Sequence, residues 1–571
     1  MEYFLHILVM VCLYAILASS FNLLIGFAGL FALSHAAFYA LGAYATAIVA
    51  TDLGLPFPLP LLVAVAFAAA MSVLIALPAL RVSGHYLVVV SLAFQIIVLE
   101  VILNWSALTG GTDGISGVPK LAFFGWALDS PGRFLIAAAI GAAACLWVCW
   151  RLAHSPFGRA LRAMRENEAA AEAVGKNILY MKVTVFAFSA GLAAVAGALF
   201  ARYFSYVGAQ SFTIDETIYI LAMVILGGTG NLRGAVLGAA ILVALPEALK
   251  FVELPVDIAD KLRLVVYGAI LIVILRFRPQ GLLPEPQGTR AMSLSAAQLH
   301  GTGGAAEGDG ALFAGSGGAA GQVVLEGRAL RKTFGGITAI SDFSIALQRG
   351  RITGLIGPNG AGKTTAFNLL TGFLQPDSGE IVLRGTTIGR RRPDTLVAAG
   401  VARSFQDLRL FTRMTVIENV LVALPRQAGD RILDVFFRPG RVRAEERANI
   451  ARAMAILRFV ELDGQAQESA ENLSYAEEKL LVVARLLATG AEVLLFDEPL
   501  SGLDDTTLRE IFPVIRRLAE NGKAVCIIEH NLDVIKELCD TVCFLDEGRA
   551  MATGTPQALM DDPDLAQRYF K

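Results

Sequence analysis

Two stretches in the C-terminal half combine residue types that could act on a phosphate chain. The first reads Gly357, Pro358, Asn359, Gly360, Ala361, Gly362, Lys363, Thr364 and Thr365, a full match to the pattern GxxxxGK[ST]. Its glycines let backbone N–H groups turn inward around phosphate oxygens, the Lys363 ammonium brings a point charge to the β- and γ-phosphates, and Thr364 offers an oxygen to magnesium. The apolar run 352–356 enters this loop and a helical pattern leaves it, which is the strand–loop–helix setting that the chemistry needs. In the second stretch the run Val493, Leu494, Leu495, Phe496 ends in Asp497, Glu498 and Pro499. A carboxylate at a strand end facing the phosphates can hold magnesium, and its neighbour can orient or deprotonate an attacking water. Together they predict a nucleotide site.

For these groups to meet, strand ends must lie side by side. Apolar runs alternate with helical patterns throughout the C-terminal half, which predicts an α/β domain around a largely parallel sheet. The N-terminal half is built for another solvent. Residues 1–284 hold 16 Lys+Arg and 14 Asp+Glu, about 11% of that part, whereas 322–571 hold 31 and 33, about 26%. Charge-free runs at 3–51, 53–80, 82–99, 134–150 and 183–201 have the scale of the roughly 20 residues that a helix needs to cross hydrocarbon. Shorter ones follow at 217–232, 234–246 and 264–275. The first run has room for two crossings with a turn at 26–29, so about nine spans are expected. The start, with no basic region and no cleavage site leading into a polar chain, reads as an anchor rather than a signal peptide. A net charge of −2 argues against nucleic-acid binding. Cys12, Cys145, Cys149, Cys526, Cys539 and Cys543 form no CxxC pair and read as buried apolar residues.

If 151–182 is cytoplasmic, Arg81, Arg151, Arg159, Arg162, Arg165, Lys176, Lys182, Arg233, Arg276 and Arg278 lie inside against six basic residues outside, in line with the positive-inside bias. The C-terminal half is then cytoplasmic. Gly26, Gly29, Ser34 and Gly42, and later Gly227, Gly228, Gly230, Gly234 and Gly238, permit close helix approach or helix breaks in lipid. Residues 285–321 are rich in Gly, Ala and Ser and read as a flexible tether. Between two spans, Ser155-Pro156 opens a polar helical pattern that ends near Gly175. Arg159, Arg162 and Arg165 at i, i+3 and i+6 would form a ridge on it for an acidic groove to hold.

Further motifs carry a family resemblance. Leu473-Ser474-Tyr475-Ala476-Glu477-Glu478-Lys479 resembles the signature motif of ABC ATPases, and Gln406, Ser501-Gly502-Leu503-Asp504 and His530 stand where that family has its Q-loop, D-loop and switch histidine. Phe334 resembles the aromatic that stacks on adenine. Phe334-Gly335-Gly336, the insert around 426–458, and Glu529-His530-Asn531-Leu532-Asp533 are similar to the ATPase subunits of branched-chain amino acid ABC importers. The membrane half resembles a permease subunit of the same system at 22–44, Leu80-Arg81-Val82-Ser83-Gly84-His85-Tyr86, Leu108-Thr109-Gly110-Gly111, Ser155-Pro156-Phe157-Gly158-Arg159 and Arg278-Pro279-Gln280-Gly281-Leu282. The chain looks like a fusion of two usually separate subunits.

The resemblance implies a multi-domain protein: a polytopic all-α membrane domain of about nine helices at 1–284, a linker at 285–321 and an α/β P-loop ABC ATPase domain at 322–571. It implies ATP and Mg2+ as ligands, with Glu498, His530 and Gln406 catalytic, and Thr364, Gln406 and Asp497 holding the metal. The phosphate loop, Phe334, Ser474, Ala476 and Glu477 would bind nucleotide. Hydrolysis sites in this family form between two ATPase domains, so a second permease subunit, a second ATPase subunit and an extracytoplasmic solute-binding protein are implied partners, in a bacterial inner membrane. The 155–177 segment, with Glu168-Ala169-Ala170 and Gly175, resembles a coupling helix. The cargo would be branched-chain amino acids or a related small solute. An importer of the same build for urea, short amides or aromatic acids is the alternative, and an exporter half-transporter fits less well because the spans are short and glycine-broken. Ala476 and Glu477 depart from the usual Gly and Gln of the signature. Glu477 would either bring negative charge near a γ-phosphate or turn into a salt bridge with Lys479 or Arg485.

Overall fold

Long apolar runs leave a lipid-facing backbone no hydrogen-bond partner but itself, and the N-terminal part accordingly folds as helices. The computed structural model describes residues 2–79, 85–123, 126–250, 268–269, 272–273, 276–286, 319–389 and 391–562. Two units emerge, one of Met1–Arg165 with Ile178–Pro286, the other of Glu166–Asn177 with Gln287–Lys571. Most of the expected tether lies outside the described residues.

In the first unit, five helices among the described residues are long and apolar enough to cross a membrane: Glu2–Phe27, Leu59–Leu77, Tyr86–Asn104, Pro131–Ala153 and Ile178–Phe204. His35–Thr51, Ile214–Gly227 and Leu232–Lys250 are further helices at expected positions, and most of the last expected run, 264–275, lies outside the described residues. The first and last of the five are 67% buried within the unit, against 28–33% for the other three, so they form its centre. The outer helices turn Leu62, Phe67, Ile96, Ile97, Ile136 and Ile140 outward, as lipid-facing helices do. At the centre a Cβ on Gly42 would lie 2.3 Å from Ala194 Cα. Only glycine permits that approach between His35–Thr51 and Ile178–Phe204.

The first apolar run does hold two helices, but they part later and more loosely than a turn at 26–29. Glu2–Asn22 passes into a π-helical turn at Leu23–Phe27, and the next helix starts at His35. Asn22 secures this break to another. Its Oδ1 accepts from the Gly230 N–H at 2.9 Å and its Nδ2 donates to the Asn231 carbonyl at 3.0 Å, so freed backbone groups at both breaks find partners.

The second unit contains the predicted parallel sheet. Its strands run in the order Val401–Arg403, Val493–Asp497, Ala524–Ile528, Ile352–Ile356, Thr541–Asp546, Arg549–Gly554, the first five parallel and the last antiparallel. Strands buried on both faces read as unbroken apolar runs, which is why those at 352–356 and 493–497 were legible, and 524–528 has the same character. A second, antiparallel sheet orders Ile337–Gln348, Val323–Phe334, Ser378–Leu383 and Thr386–Thr387. Phe343, Leu355, Phe367, Leu495 and Ile528 share the core between these layers.

Candidate nucleotide site and the segment docked beside it

The sheet order brings the chemistry together. Ile352–Ile356 neighbours Ala524–Ile528, which neighbours Val493–Asp497, which neighbours Val401–Arg403. Because the four are parallel, the phosphate loop, Glu529-His530, Asp497-Glu498 and Ser404 to Gln406 all leave from the same carboxyl edge, where open α/β sheets place ligands.

The loop has the shape its glycines predict. Gly360 and Gly362 have φ of +85° and +103°, and a Cβ on Gly357 would meet the Leu545 carbonyl oxygen at 1.9 Å. Asn359, Gly360 and Thr364 are exposed, so the rim is open to solvent, while Lys363 is buried at the start of the helix Lys363–Leu370. Lys363 Nζ donates to the Gly357 and Pro358 carbonyls at 2.8 and 2.9 Å. Burial lowers its pKa, while Glu498 and Asp497 act the other way.

Around Glu498 the predicted groups converge. Gln406 Nε2 donates to Glu498 Oε2 at 3.2 Å, and His530 Nε2 lies 3.1 Å from Glu498 Oε1. Glu498 sits at φ +51°, an unfavourable conformation for a residue with a side chain and one that clusters at functional sites. The turn is over-determined: the Glu498 N–H donates to the Ile528 carbonyl at 3.0 Å, and the Glu498 carbonyl accepts from Lys479 Nζ at 3.0 Å and Ser501 Oγ at 3.1 Å.

Asp497 is buried, and its pKa is raised by that burial, with Arg403 opposing the shift. Arg403 Nη2 stands 3.3 Å from Asp497 Oδ2, Arg403 Nη1 bonds Asn368 Oδ1 at 2.5 Å, and Ser404 Oγ accepts from the Asp497 N–H at 3.0 Å. Burial brings the guanidinium down to about 10. Sequence reasoning missed Arg403. Its only trace was a basic residue closing a three-residue strand, which a single sequence does not distinguish from an exposed arginine.

Glu529 was read only as part of a motif, yet it is buried and its Oε1 accepts from the Leu500 N–H at 2.8 Å. Burial raises its pKa to about 7, although the Leu500 and His530 N–H groups favour the anion. Phe334 ends its strand 45% exposed, with Lys332 Nζ 5.7 Å from the ring centroid. That leaves a face for an aromatic ligand.

Ser474, Ala476 and Glu477 open the helix Tyr475–Ala488, and here the alternative expected for Glu477, a salt bridge with Lys479 or Arg485, is not formed. Its Oε2 accepts from the Ser474 N–H at 2.8 Å and from Ser474 Oγ at 2.7 Å, and its Oε1 accepts from Gln465 Nε2 at 3.0 Å. Ser474 and Glu477 make a capping box, in which a glutamate at the third helical position satisfies the cap residue's own N–H. The salt bridge to Lys479 or Arg485 gives way because each has another partner: Lys479 takes the Glu498 carbonyl, and Arg485 Nη1 donates to the Arg409 carbonyl at 2.8 Å.

The expected single helix over 155–177 is two helices, Pro156–Glu166 and Glu168–Ala173, parted at Asn167, whose Oδ1 accepts from the Ala170 N–H at 2.9 Å. The arginine ridge is also corrected. Arg159, Arg162 and Arg165 belong to the membrane unit: Arg159 is buried, Arg162 Nη1 donates to the Ala153 carbonyl at 3.4 Å, and Arg165 donates to the Gly26 carbonyl and pairs with Glu285 at 2.8 Å. Their spacing was read correctly, but the exposed face assumed for them was not there. Residues 166–177 pack with the nucleotide-binding unit instead. Lys176 Nζ, buried, pairs with Asp430 Oδ2 at 2.7 Å. The Arg413 N–H donates to Glu166 Oε2 at 3.1 Å. Ala170 and Ala171 are fully buried, and a Cβ on Gly175 would lie 3.0 Å from Val397 Cγ1. All six cysteines are free; five are buried, as expected, whereas Cys12 is only half-buried.

Comparison with known proteins bears on both halves. Residues 3–275 match a family described as "Branched-chain amino acid transport system / permease component", and 340–501 match "ABC transporter". The high-affinity branched-chain amino acid transport ATP-binding protein BraF of Pseudomonas aeruginosa is 35% identical over 248 residues, covering 43% of this chain and 97% of that protein. The high-affinity branched-chain amino acid transport system permease protein LivM of Escherichia coli (strain K12) is 34% identical over 295 residues, 48% of this chain and 68% of that protein. Among solved structures, a nucleotide-free ATP-binding cassette from an ABC transporter is 29% identical and covers 44% of this chain and 99% of its own, at a TM-score of 0.39. A chain with several apolar helices in its permease part and this carboxyl edge in the other is a multi-pass membrane protein that binds ATP and couples its hydrolysis to transport. It belongs to the ABC transporter family, joining a permease half and an ATP-binding half of the branched-chain amino acid transport type.

Proposed function

We propose that this chain supplies a permease and an ATPase, from one fused polypeptide, to an ABC importer of branched-chain amino acids in a bacterial inner membrane. The observation that carries the reading is that both halves independently resemble components of the same transport system. The domains are taken as 1–284, the tether 285–321, and 322–571. The partners are a second permease subunit, a second ATPase subunit and an extracytoplasmic binding protein.

In this reading the phosphate loop and Lys363 hold the β- and γ-phosphates, and Phe334 stacks on the adenine. Thr364 and Asp497, with Gln406, would hold Mg2+. Among the described residues no cluster of three His, Cys, Asp or Glu side chains forms a metal cage, which fits an ion that keeps water and phosphate as most of its ligands. Bound there, the ion would neutralise developing charge on the phosphates. Glu498 orients and deprotonates the attacking water, and Gln406 and His530, both within hydrogen-bond reach of its carboxylate, fix its direction. Lys479 and Ser501 hold the strained turn that presents it. Ser474 and the N–H of Ala476 face the γ-phosphate bound by the partner ATPase. Residues 166–177, seated on the ATPase unit through Lys176 and Asp430, carry its closure to the spans.

The test is uptake by the transporter reconstituted with its second permease, second ATPase and binding protein in vesicles. Labelled leucine should accumulate only when ATP is supplied on the ATPase side, and unlabelled isoleucine and valine should compete. Competition by urea or an aromatic acid instead would reassign the cargo.

A further inference from the structure

The insert between the nucleotide site and the signature helix takes no part in the chemistry described so far, yet it carries an unusual face. After the turn Ala428–Asp430 come the short helix Ile432–Phe437 and the long helix Pro439–Phe459. Ile432, Val435 and Val442 are buried. Leu433 and Phe437, one helical turn apart, point the other way and are 68% and 79% exposed. Around them Arg431, Arg438, Arg441 and Arg443 are all exposed. Within 431–443 the only opposing carboxylate is that of Asp434, 3.6 Å from Arg438 Nη1. Two bare apolar side chains ringed by a cationic excess are costly in open water and complementary to a layer of anionic headgroups over hydrocarbon.

Chain connectivity gives a second, independent argument. Asp430, which opens this insert, pairs with Lys176, and Lys176 stands two residues before Ile178–Phe204, one of the helices suited to cross a membrane. Two residues of chain reach at most about 7 Å, so Lys176, the partner of that anchor, is tethered by the chain to the start of a span. Three to seven residues beyond that anchor lie Leu433 and Phe437.

We infer that this face is a lipid-docking surface. Leu433 and Phe437 enter the headgroup region of the cytoplasmic leaflet, and the four guanidiniums pair with anionic lipid phosphates. The inference rests on the proposed membrane orientation and gives the insert a task of its own: it steadies the ATPase unit beside the segment that transmits closure. Each guanidinium near an anionic surface strengthens such an association about fivefold, so the docking depends on lipid charge as well as on the apolar pair.

The assembled transporter tests this when an environment-sensitive nitrobenzoxadiazole label is placed on Phe437→Cys, and separately on Leu433→Cys. None of the six native cysteines is exposed to compete for the reagent. In nanodiscs containing phosphatidylglycerol the label should emit further to the blue than in pure phosphatidylcholine, and a headgroup nitroxide lipid should quench it. Arg441→Gln with Arg443→Gln should reduce that quenching severalfold and leave ATP binding unchanged. Emission that is the same in both lipids, or already blue-shifted in detergent because a protein surface covers the label, would overturn the inference. If ATP-driven uptake persists alongside either result, only the lipid surface is lost and the proposed function stands.

Discussion

At the scale of single residues, the site separates binding from hydrolysis. Lys363 supplies charge to phosphates, whereas Glu498 has its carboxylate directed by Gln406 and His530. Lys363→Ala should therefore abolish ATP binding, and Glu498→Gln should keep it while slowing turnover by about 10²–10⁴-fold, the usual contribution of a general base. Equilibrium nucleotide binding and phosphate release, measured on the assembled transporter, check the two together. Glu529 adds a pH dependence. Its carboxyl has a usual value of 4.5 and is raised by burial to about 7 in the folded chain. Between those values the folded state binds more protons than the unfolded one, so stability falls as pH rises from about 4.5 to 7 and then levels off. Glu529→Gln keeps an oxygen for the Leu500 N–H and cannot ionise. Its melting temperature, compared with the parent's from pH 5 to 8, should gain on the parent as the pH rises. Lys363, Asp497, Glu498 and His530 were legible because motif spacing fixes them to strand ends. Arg403 and the role of Glu529 were not, since both depend on which strands become neighbours, and adjacency in a parallel sheet is not written in local sequence.

At the scale of elements, two short helices decide how the site communicates. The capping box at the start of Tyr475–Ala488 ties up the Ser474 hydroxyl with the Glu477 carboxylate, leaving a negative charge where the proposed partner site brings its γ-phosphate. The pair Ala476→Gly and Glu477→Gln removes that charge and the crowding methyl, and total ATP turnover should rise, by roughly tenfold if one hydrogen bond is regained. Measuring it with this chain's own Glu498 changed to glutamine silences the other site and isolates the composite one. The second helix, Glu168–Ala173, is seated by Lys176 and Asp430 and by the close fit of Gly175 on Val397. Gly175 also has φ +86°, so Gly175→Val is strained as well as crowded. That variant and Lys176→Glu should each leave ATP binding intact and lower uptake per ATP hydrolysed severalfold. Uptake and phosphate release, measured in the same vesicles, give that ratio. The polar helical pattern at 155–177 was legible, but which residues faced which neighbour was not. A polar cap at Asn167 in mid-pattern was the available sign of two helices.

Over the whole molecule, charge density alone separated the two halves. The exchange of residues between them was hidden, because 166–177 lie within the permease part of the sequence and pack with the ATPase. The proposed tether has no chemistry in this account. A protease site placed among its glycines should thus allow cutting without loss of uptake in intact vesicles, because the docked segment still joins the parts. Electrophoresis of the cut protein and leucine accumulation in the same preparation check this.

The Lys176–Asp430 pair spans 254 residues of chain, and that separation has a consequence for biogenesis. A ribosome adding roughly 5–20 residues per second finishes the connection between two spans well before it makes the surface that buries Ala170 and Lys176. For some tens of seconds the young protein carries this stretch ahead of its destination. Membrane insertion therefore precedes the joining of motor to channel, and the last part synthesised must find a site laid down near the beginning.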